Sequence, residues 1–497
     1  MSVKEQRRTL LLPFMAATLG ASILGGCMVG PNFHPPQPTT VPPAWVGVEK
    51  TPSEPSMTTT AQPEPTQWWR QFDDPILTSL VDDALNVNLD LRIAETRLRE
   101  ARATRGVVAG GLWPAVTASG GYQKYHMAGV TPGNQALNLY QAGFDAAWEI
   151  DLLGGQRRSV ESADANIQAA IENIRDAQVS LVAEVALNYI QLRGYQQEIA
   201  IAQKNLISQK HTADITHRLL NVGFASALDA ANADSDVATT ESQIPVFESE
   251  ARQSIYALSV LLARPPGDLL EQLSPTGSLP RVPTQVPAGL PSDLLRRRSD
   301  IRAAEAQLHA ATAQIGVATA EYFPTFSLTG ALTWSSNLLR TLWTNASRSY
   351  AAGASVTWPL FQGGATVSNV RLQEALRDES FIAYQQTVLS AFQEVENSLI
   401  AYSKEQQHHK LLNDAVVNNR KAVDLSLQLY TAGLIGFLNV EIAQRTLYSS
   451  EDALVQSETS IVTDLIALYK ALGGGWESLP MVSTQGTVAT ESGYSNK

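Results

Sequence analysis

Residues 219–229 read LLNVGFASALD, and residues 429–439 read LYTAGLIGFLN. A shift of 210 positions lays Gly223 on Gly433 and Leu228 on Leu438. Upstream of each glycine the chain is built for helix. Residues 156–222 hold no proline and one glycine, Gly194, and residues 365–432 hold neither. Both runs are rich in Ala, Gln, Glu and Leu, which favour helix. At 1.5 Å per residue each would extend about 100 Å. Glycine at the end accepts the left-handed conformation that closes a helix. A second helix is expected from about Ala227 and again from about Phe437. Each half of the chain therefore predicts a long antiparallel helical hairpin with a sharp tip.

The same shift registers the rest. LDLRIAETRL at 89–98 falls on SDIRAAEAQL at 299–308, LWPAVTASG at 112–120 on YFPTFSLTG at 322–330, and Trp148 on Trp358. So long a period excludes a solenoid of small repeats and indicates one unit of about 170–190 residues used twice. We expect a first repeat at 67–263 and a second at 292–476, joined by a Pro-rich linker at 264–291, with a tail at 477–497. Within each repeat the order is helix, two strands, helical hairpin. The hairpins are expected at about 156–263 and 364–472.

The strands, at about 114–126, 139–151, 324–335 and 349–361, alternate strictly. Even positions carry Val116, Tyr122, Tyr140, Phe144, Trp148, Phe326, Leu328, Leu332, Trp334, Tyr350, Val356 and Trp358. Odd positions carry Thr117, Ser119, Gln141, Asp145, Thr325, Ser327, Ser355 and Thr357. Segments of about ten residues with one apolar face, one polar face and aromatics at their ends have the pattern of a transmembrane β-barrel. Four strands cannot close one, and an open edge in lipid leaves backbone groups unpaired. The chain is thus expected to oligomerise, and the polar inner face favours twelve strands from three copies.

The N-terminus adds an address. Lys4, Arg7 and Arg8 precede an apolar run at 10–24, then Gly25, Gly26 and Cys27, the sole cysteine. The run is too short to span a membrane and has the layout of an export signal, 1–26. Leu-Gly-Gly-Cys resembles the bacterial lipoprotein box, which implies acylation of Cys27; Met28 at the next position implies sorting to the outer membrane. Residues 27–66, rich in Pro and Thr, read as an extended tether mostly without regular structure. One cysteine forbids an intramolecular disulfide, and a net charge of −12 argues against nucleic acid as a partner. No nucleophile, zinc or Walker motif is present. His211 and His217, or His408 and His409, do not share a helix face, so neither enzyme activity nor a cofactor or metal is expected.

The ordered set (CMVGPNF after the box, paired hairpins, the duplication, both tips and the closing YKALGGGW) resembles the TolC-like outer-membrane factors, specifically their NodT-type efflux lipoprotein branch. That resemblance implies a mainly α fold with a transmembrane β-barrel: a homotrimer whose 12-stranded barrel in outer-membrane lipid continues as an α-helical periplasmic tunnel. It implies as partners a periplasmic adaptor protein and an inner-membrane pump of the resistance–nodulation–division class. The chain would be the passive exit duct, with a mixed belt formed by the linker and the chain ends. Two other readings are an outer-membrane component of protein or metal-ion export and a structural envelope lipoprotein.

The resemblance also implies site residues. Val222, Gly223 and Phe224, with Ala432, Gly433 and Leu434, would be the adaptor-docking tips. A constriction just past the second tip would use a Leu, an Asp four residues on and an Arg three further. Here these are Leu438, Ile442 and Arg445, so the acidic position is lost, although Glu441 is adjacent. An apolar ring of Leu438 and Ile442 is expected, closing by exclusion of water; the alternative is that both are core residues of the hairpin. In the first repeat Asp229 and Asp236 share a face, and Asp229 is the expected partner of Arg445.

Overall fold

The computed structural model describes residues 28–36, 41–47, 57–59, 67–126 and 136–476. The export signal, Cys27 and the C-terminal tail lie outside them. In chain order the elements are β1 (Met57–Thr59), α1 (Pro75–Val87), α2 (Leu89–Gly110), β2 (Ala115–Tyr125), β3 (Leu137–Ile150), α3 (Gly155–Asn221), α4 (Ala227–Leu261), α5 (Leu270–Leu273), β4 (Gln285–Pro287), α6 (Pro291–Arg297), α7 (Ser299–Ala320), β5 (Thr325–Ser336), β6 (Arg348–Thr357), α8 (Ala365–Thr431) and α9 (Phe437–Ala471). They fall into two compact units. The first comprises Met1–Pro38, Thr96–Glu172 and Arg302–Thr387; the second comprises Thr39–Glu95, Asn173–Ile301 and Val388–Lys497. Among the described residues no helix is long and apolar enough to cross a membrane.

The first unit holds an antiparallel sheet in the order β2-β3-β5-β6, so the two hairpins of the two repeats lie side by side. Its register pairs even positions with even. Ala118 faces Phe144, Phe144 faces Leu332 and Leu332 faces Tyr350. The even positions, which carry the large apolar side chains from Val116 to Val356, therefore share one face, as the alternation predicts. None of the described residues covers that face: Val116, Phe144, Tyr350 and Val356 are all exposed. On the other face the Ser327 and Ser355 hydroxyls are 2.7 Å apart. The duplication repeats down to single bonds. Trp148 Nε1 donates to the Leu112 carbonyl at 2.9 Å, and Trp358 Nε1 donates to the Tyr322 carbonyl at 3.0 Å. Strand β6 ends at Thr357, so Trp358 and Leu360 lie beyond the strand expected to include them.

In the second unit the core is helical. Leu77, Val81, Val182, Tyr189, Leu258, Leu399, Tyr402, Leu465 and Ile466 are buried on α1, α3, α4, α8 and α9. Asp74 caps α1 by accepting from Ile76 N and Leu77 N, and takes a 2.8 Å bond from the Tyr189 hydroxyl. Trp68 stacks on Tyr469 with ring centroids 5.2 Å apart. The described parts of the tether make contacts that its composition does not announce. Buried Trp45 donates to the Gly289 carbonyl at 3.1 Å, and Val46 N and Gly47 N donate to the two Glu396 carboxylate oxygens at 2.8 and 2.7 Å. Strand β1 of the tether pairs in parallel with β4 of the Pro-rich linker. Composition alone misses this because each contact is made across hundreds of residues.

Candidate functional site

The candidate site is where the two helical hairpins turn, in the second unit. Each long helix closes with the same motif. The N–H of Gly223 donates to the Leu220 carbonyl and that of Phe224 to Leu219; the N–H of Gly433 donates to Tyr430 and that of Leu434 to Leu429. These are paired Schellman closures. They require a left-handed residue, and Gly223 and Gly433 have φ of 79° and 74°. Around them Val222, Phe224 and Leu434 are exposed, Phe224 by 82%. Helix α4 then starts on a capping box, in which the Ser226 hydroxyl accepts from Asp229 N and the Asp229 carboxylate accepts from Ser226 N.

Behind the turns the four helices share a small core of Ala213, Ala233, Tyr430, Phe437 and Val440. Polar bonds cross it. Gln444 Nε2 donates to the Thr212 hydroxyl at 2.8 Å, and Asn232 Nδ2 donates to Glu441 Oε2 at 3.3 Å. Arg445 Nε donates to Asp236 Oδ1 at 2.8 Å and Nη2 lies 2.9 Å from Glu441 Oε1. The hydrogen bond and charge of Asp236 push the Arg445 pKa up, so the guanidinium stays charged.

Sequence and structure part company on one pairing. Asp229, the expected partner of Arg445, is occupied in the capping box, and within the chain Arg445 is held by Asp236 and Glu441. Asp236 is buried, so the two aspartates do not share an environment. Leu438 and Ile442 are 60% and 55% exposed, on the side of α9 away from buried Phe437, Val440, Glu441 and Gln444. They are not core residues of their own hairpin. Asn232, Thr212 and Gln444 went unread in the sequence, since nothing local marks a polar residue that bonds across helices. Among the described residues no group of His, Cys, Asp or Glu could hold a metal ion.

The profile of outer membrane efflux proteins matches residues 80–264 and again 290–474. The chain belongs to the outer membrane efflux protein family. The two matches are offset by 210 residues at both ends, the shift that registers the halves of the sequence. Efflux and the outer membrane are thus its task and its place. The pyoverdine export outer membrane protein OpmQ of Pseudomonas aeruginosa is 33% identical over 420 residues, 83% of this chain and 88% of that protein. Nodulation protein T of Rhizobium leguminosarum bv. viciae is 32% identical over 471 residues, 94% of this chain and 95% of its own. Among solved structures, the outer-membrane channel OprN superposes with a TM-score of 0.83 at 37% identity, covering 90% of this chain and all of that one. The likeness to a TolC-like channel extends over nearly the whole of this efflux protein.

Proposed function

We propose that three copies of the chain form the outer-membrane exit duct of a tripartite efflux system. The observation that carries this is the four-stranded sheet. Among the described residues its apolar face lies bare, and its edge strands β2 and β6 each lack a partner on one side. In lipid those edges must pair. Two copies would give eight strands, whose interior side chains fill; twelve strands leave a lumen for the polar face. The helical hairpins continue the barrel as a tunnel. Adaptor hairpins dock at Val222, Gly223 and Phe224 and at Ala432, Gly433 and Leu434. An inner-membrane pump of the resistance–nodulation–division class supplies small toxic compounds. Three Leu438 and three Ile442 side chains form the resting constriction, braced by Arg445, Asp236 and Glu441. Acylated Cys27 adds a lipid anchor. Native mass spectrometry of the detergent-extracted protein tests the assembly: three copies are expected, and a well-behaved monomer would contradict it.

A further inference from the structure

The stretch that follows Cys27 is seated in the first unit by a buried cation. Arg158, near the start of α3, is 2% exposed. Its Nε donates to the Val29 carbonyl at 3.1 Å, and its Nη2 donates to Asn32 Oδ1 at 2.7 Å and to the Gly30 carbonyl at 3.4 Å. Its Nη1 donates to Glu161 Oε2 at 2.7 Å. Residues 29–32 thus accept three of the four hydrogen bonds given by this buried guanidinium, and a buried charge is tolerated only when it is so paired. The segment is therefore part of how this unit satisfies its polar groups.

The backbone is fitted to the same place. Val29 N donates to the Leu153 carbonyl at 3.0 Å. Gly30 has φ of +84°, and a Cβ there would sit 2.4 Å from Gly316 Cα on α7. A Cβ on Gly316 would in turn meet Arg158 Cγ at 2.7 Å, and one on Gly154 would meet Met28 Cγ at 2.7 Å. Phe33 stacks on His309 of α7, ring centroids 4.4 Å apart and 12° from parallel. His309 Nε2 lies 3.0 Å from Glu161 Oε1. Glu161 thus joins both supports of the segment, and its carboxyl is held below the usual range: burial would raise it, but the hydrogen bonds and charges of His309 and Arg158 outweigh that.

We propose that residues 28–33 are a clasp, locked by Arg158, that fixes the mature N-terminus beside the foot of β3 and so sets where the acyl group of Cys27 enters the lipid. Met28 lies against Gly154, just past the last residue of β3, Ile150. Cys27 is the residue before it in the chain. Arg158 is a positioning residue for the anchor. The anchor's role rests on the lipoprotein reading of Cys27; the clasp does not.

One digest separates the two. Thermolysin cuts the Met28–Val29 and Asn32–Phe33 bonds only when the clasp opens, and it releases short peptides that begin at Cys27, whose mass reports acylation. In detergent-extracted wild-type protein these cuts are slow. In Gly30→Ala and Arg158→Met they are expected about 10-fold faster or more, since cleavage follows the population of the open segment, with the acyl mass unchanged. Arg158 is buried, so if Arg158→Met yields no folded protein, Gly30→Ala and Asn32→Ala decide, because they alter only the segment. Cleavage of Gly30→Ala at the wild-type rate would overturn the clasp. A released peptide without acyl mass would remove the anchor and leave the clasp to the rates.

Discussion

Asp236 Oδ1 accepts a hydrogen bond from Arg445 Nε at 2.8 Å and lies 2.8 Å from Arg445 Nη2. This bond ties α4 to α9 directly behind the turns, and Asp236 is 7% exposed. Truncating Arg445 to Ala would strip a shielded carboxylate of its cation, a loss of about 1–3 kcal/mol. If this link braces a resting constriction, as proposed, Arg445→Ala should make cells sensitive to vancomycin, and Arg445→Lys should do so less. Asp229→Ala removes only a helix cap, at about 0.5–1 kcal/mol, and should leave sensitivity unchanged. Equal leakage in the Asp229 and Arg445 variants would dissolve the distinction between the two aspartates.

Leu438 and Ile442 offer apolar surface that their own chain does not bury. Exposed substitutions shift stability by about 0.5 kcal/mol or less, so the double change Leu438→Ser, Ile442→Ser should leave trimer yield intact. If the pair closes the duct, large antibiotics should now enter. A lowered trimer yield without any leak would assign both residues to packing between copies instead.

At the tips, conformation and contact can be tested apart. Gly223→Ala and Gly433→Ala force an L side chain into the left-handed region, costing about 1–2 kcal/mol each, and should lower the melting temperature. Phe224→Asp and Leu434→Asp change only exposed surface. They should melt like the wild type and abolish drug resistance in a strain lacking its own copy. Full resistance in both Asp variants would remove the docking assignment.

Glu198 on α3 is buried and faces Asp452 of α9, with Gln456 as a hydrogen-bond partner. Burial first, then the charge of Asp452, pushes its pKa up to about 7. Asp464 rises to about 6 for the same leading reason, with Glu405 adding to it. A carboxyl that binds its proton more tightly when folded stabilises the fold below its ordinary pKa and loses that contribution as pH rises through the folded value. The helical hairpins should therefore be more stable at pH 5 than at pH 8. Glu198→Gln should flatten that slope and stabilise at pH 8 by on the order of 1–2 kcal/mol. Melting curves at the two pH values check this, and an unchanged slope in the variant would contradict it.

Much of this was legible because the signals are local or periodic. Alternation at Val116, Phe144, Leu332 and Tyr350 gave the strand faces, which the register places in one row or the next. Gly223 and Gly433 gave both turns. Asp229 was readable too: Ser226 three positions before it is a capping box, and that local use outweighed the distant one. Illegible were contacts whose partners are far apart in the chain. Asp236 meets Arg445 across 209 residues and Asn32 meets Arg158 across 126, so their pairing depends on helix register and chain path. Pro245 was hidden differently. It sits inside α4, where it deprives the Glu241 carbonyl of its helical donor, and both residues face solvent, where water can replace the bond.

The central claim is a duct that is closed at rest and opens at Leu438 and Ile442. Single-channel recording in planar bilayers tests it most directly. The purified wild-type protein should give discrete conductance steps, and the Leu438→Ser, Ile442→Ser protein should give larger ones at equal trimer yield. Silence from both proteins, with trimers present in the bilayer, would contradict it.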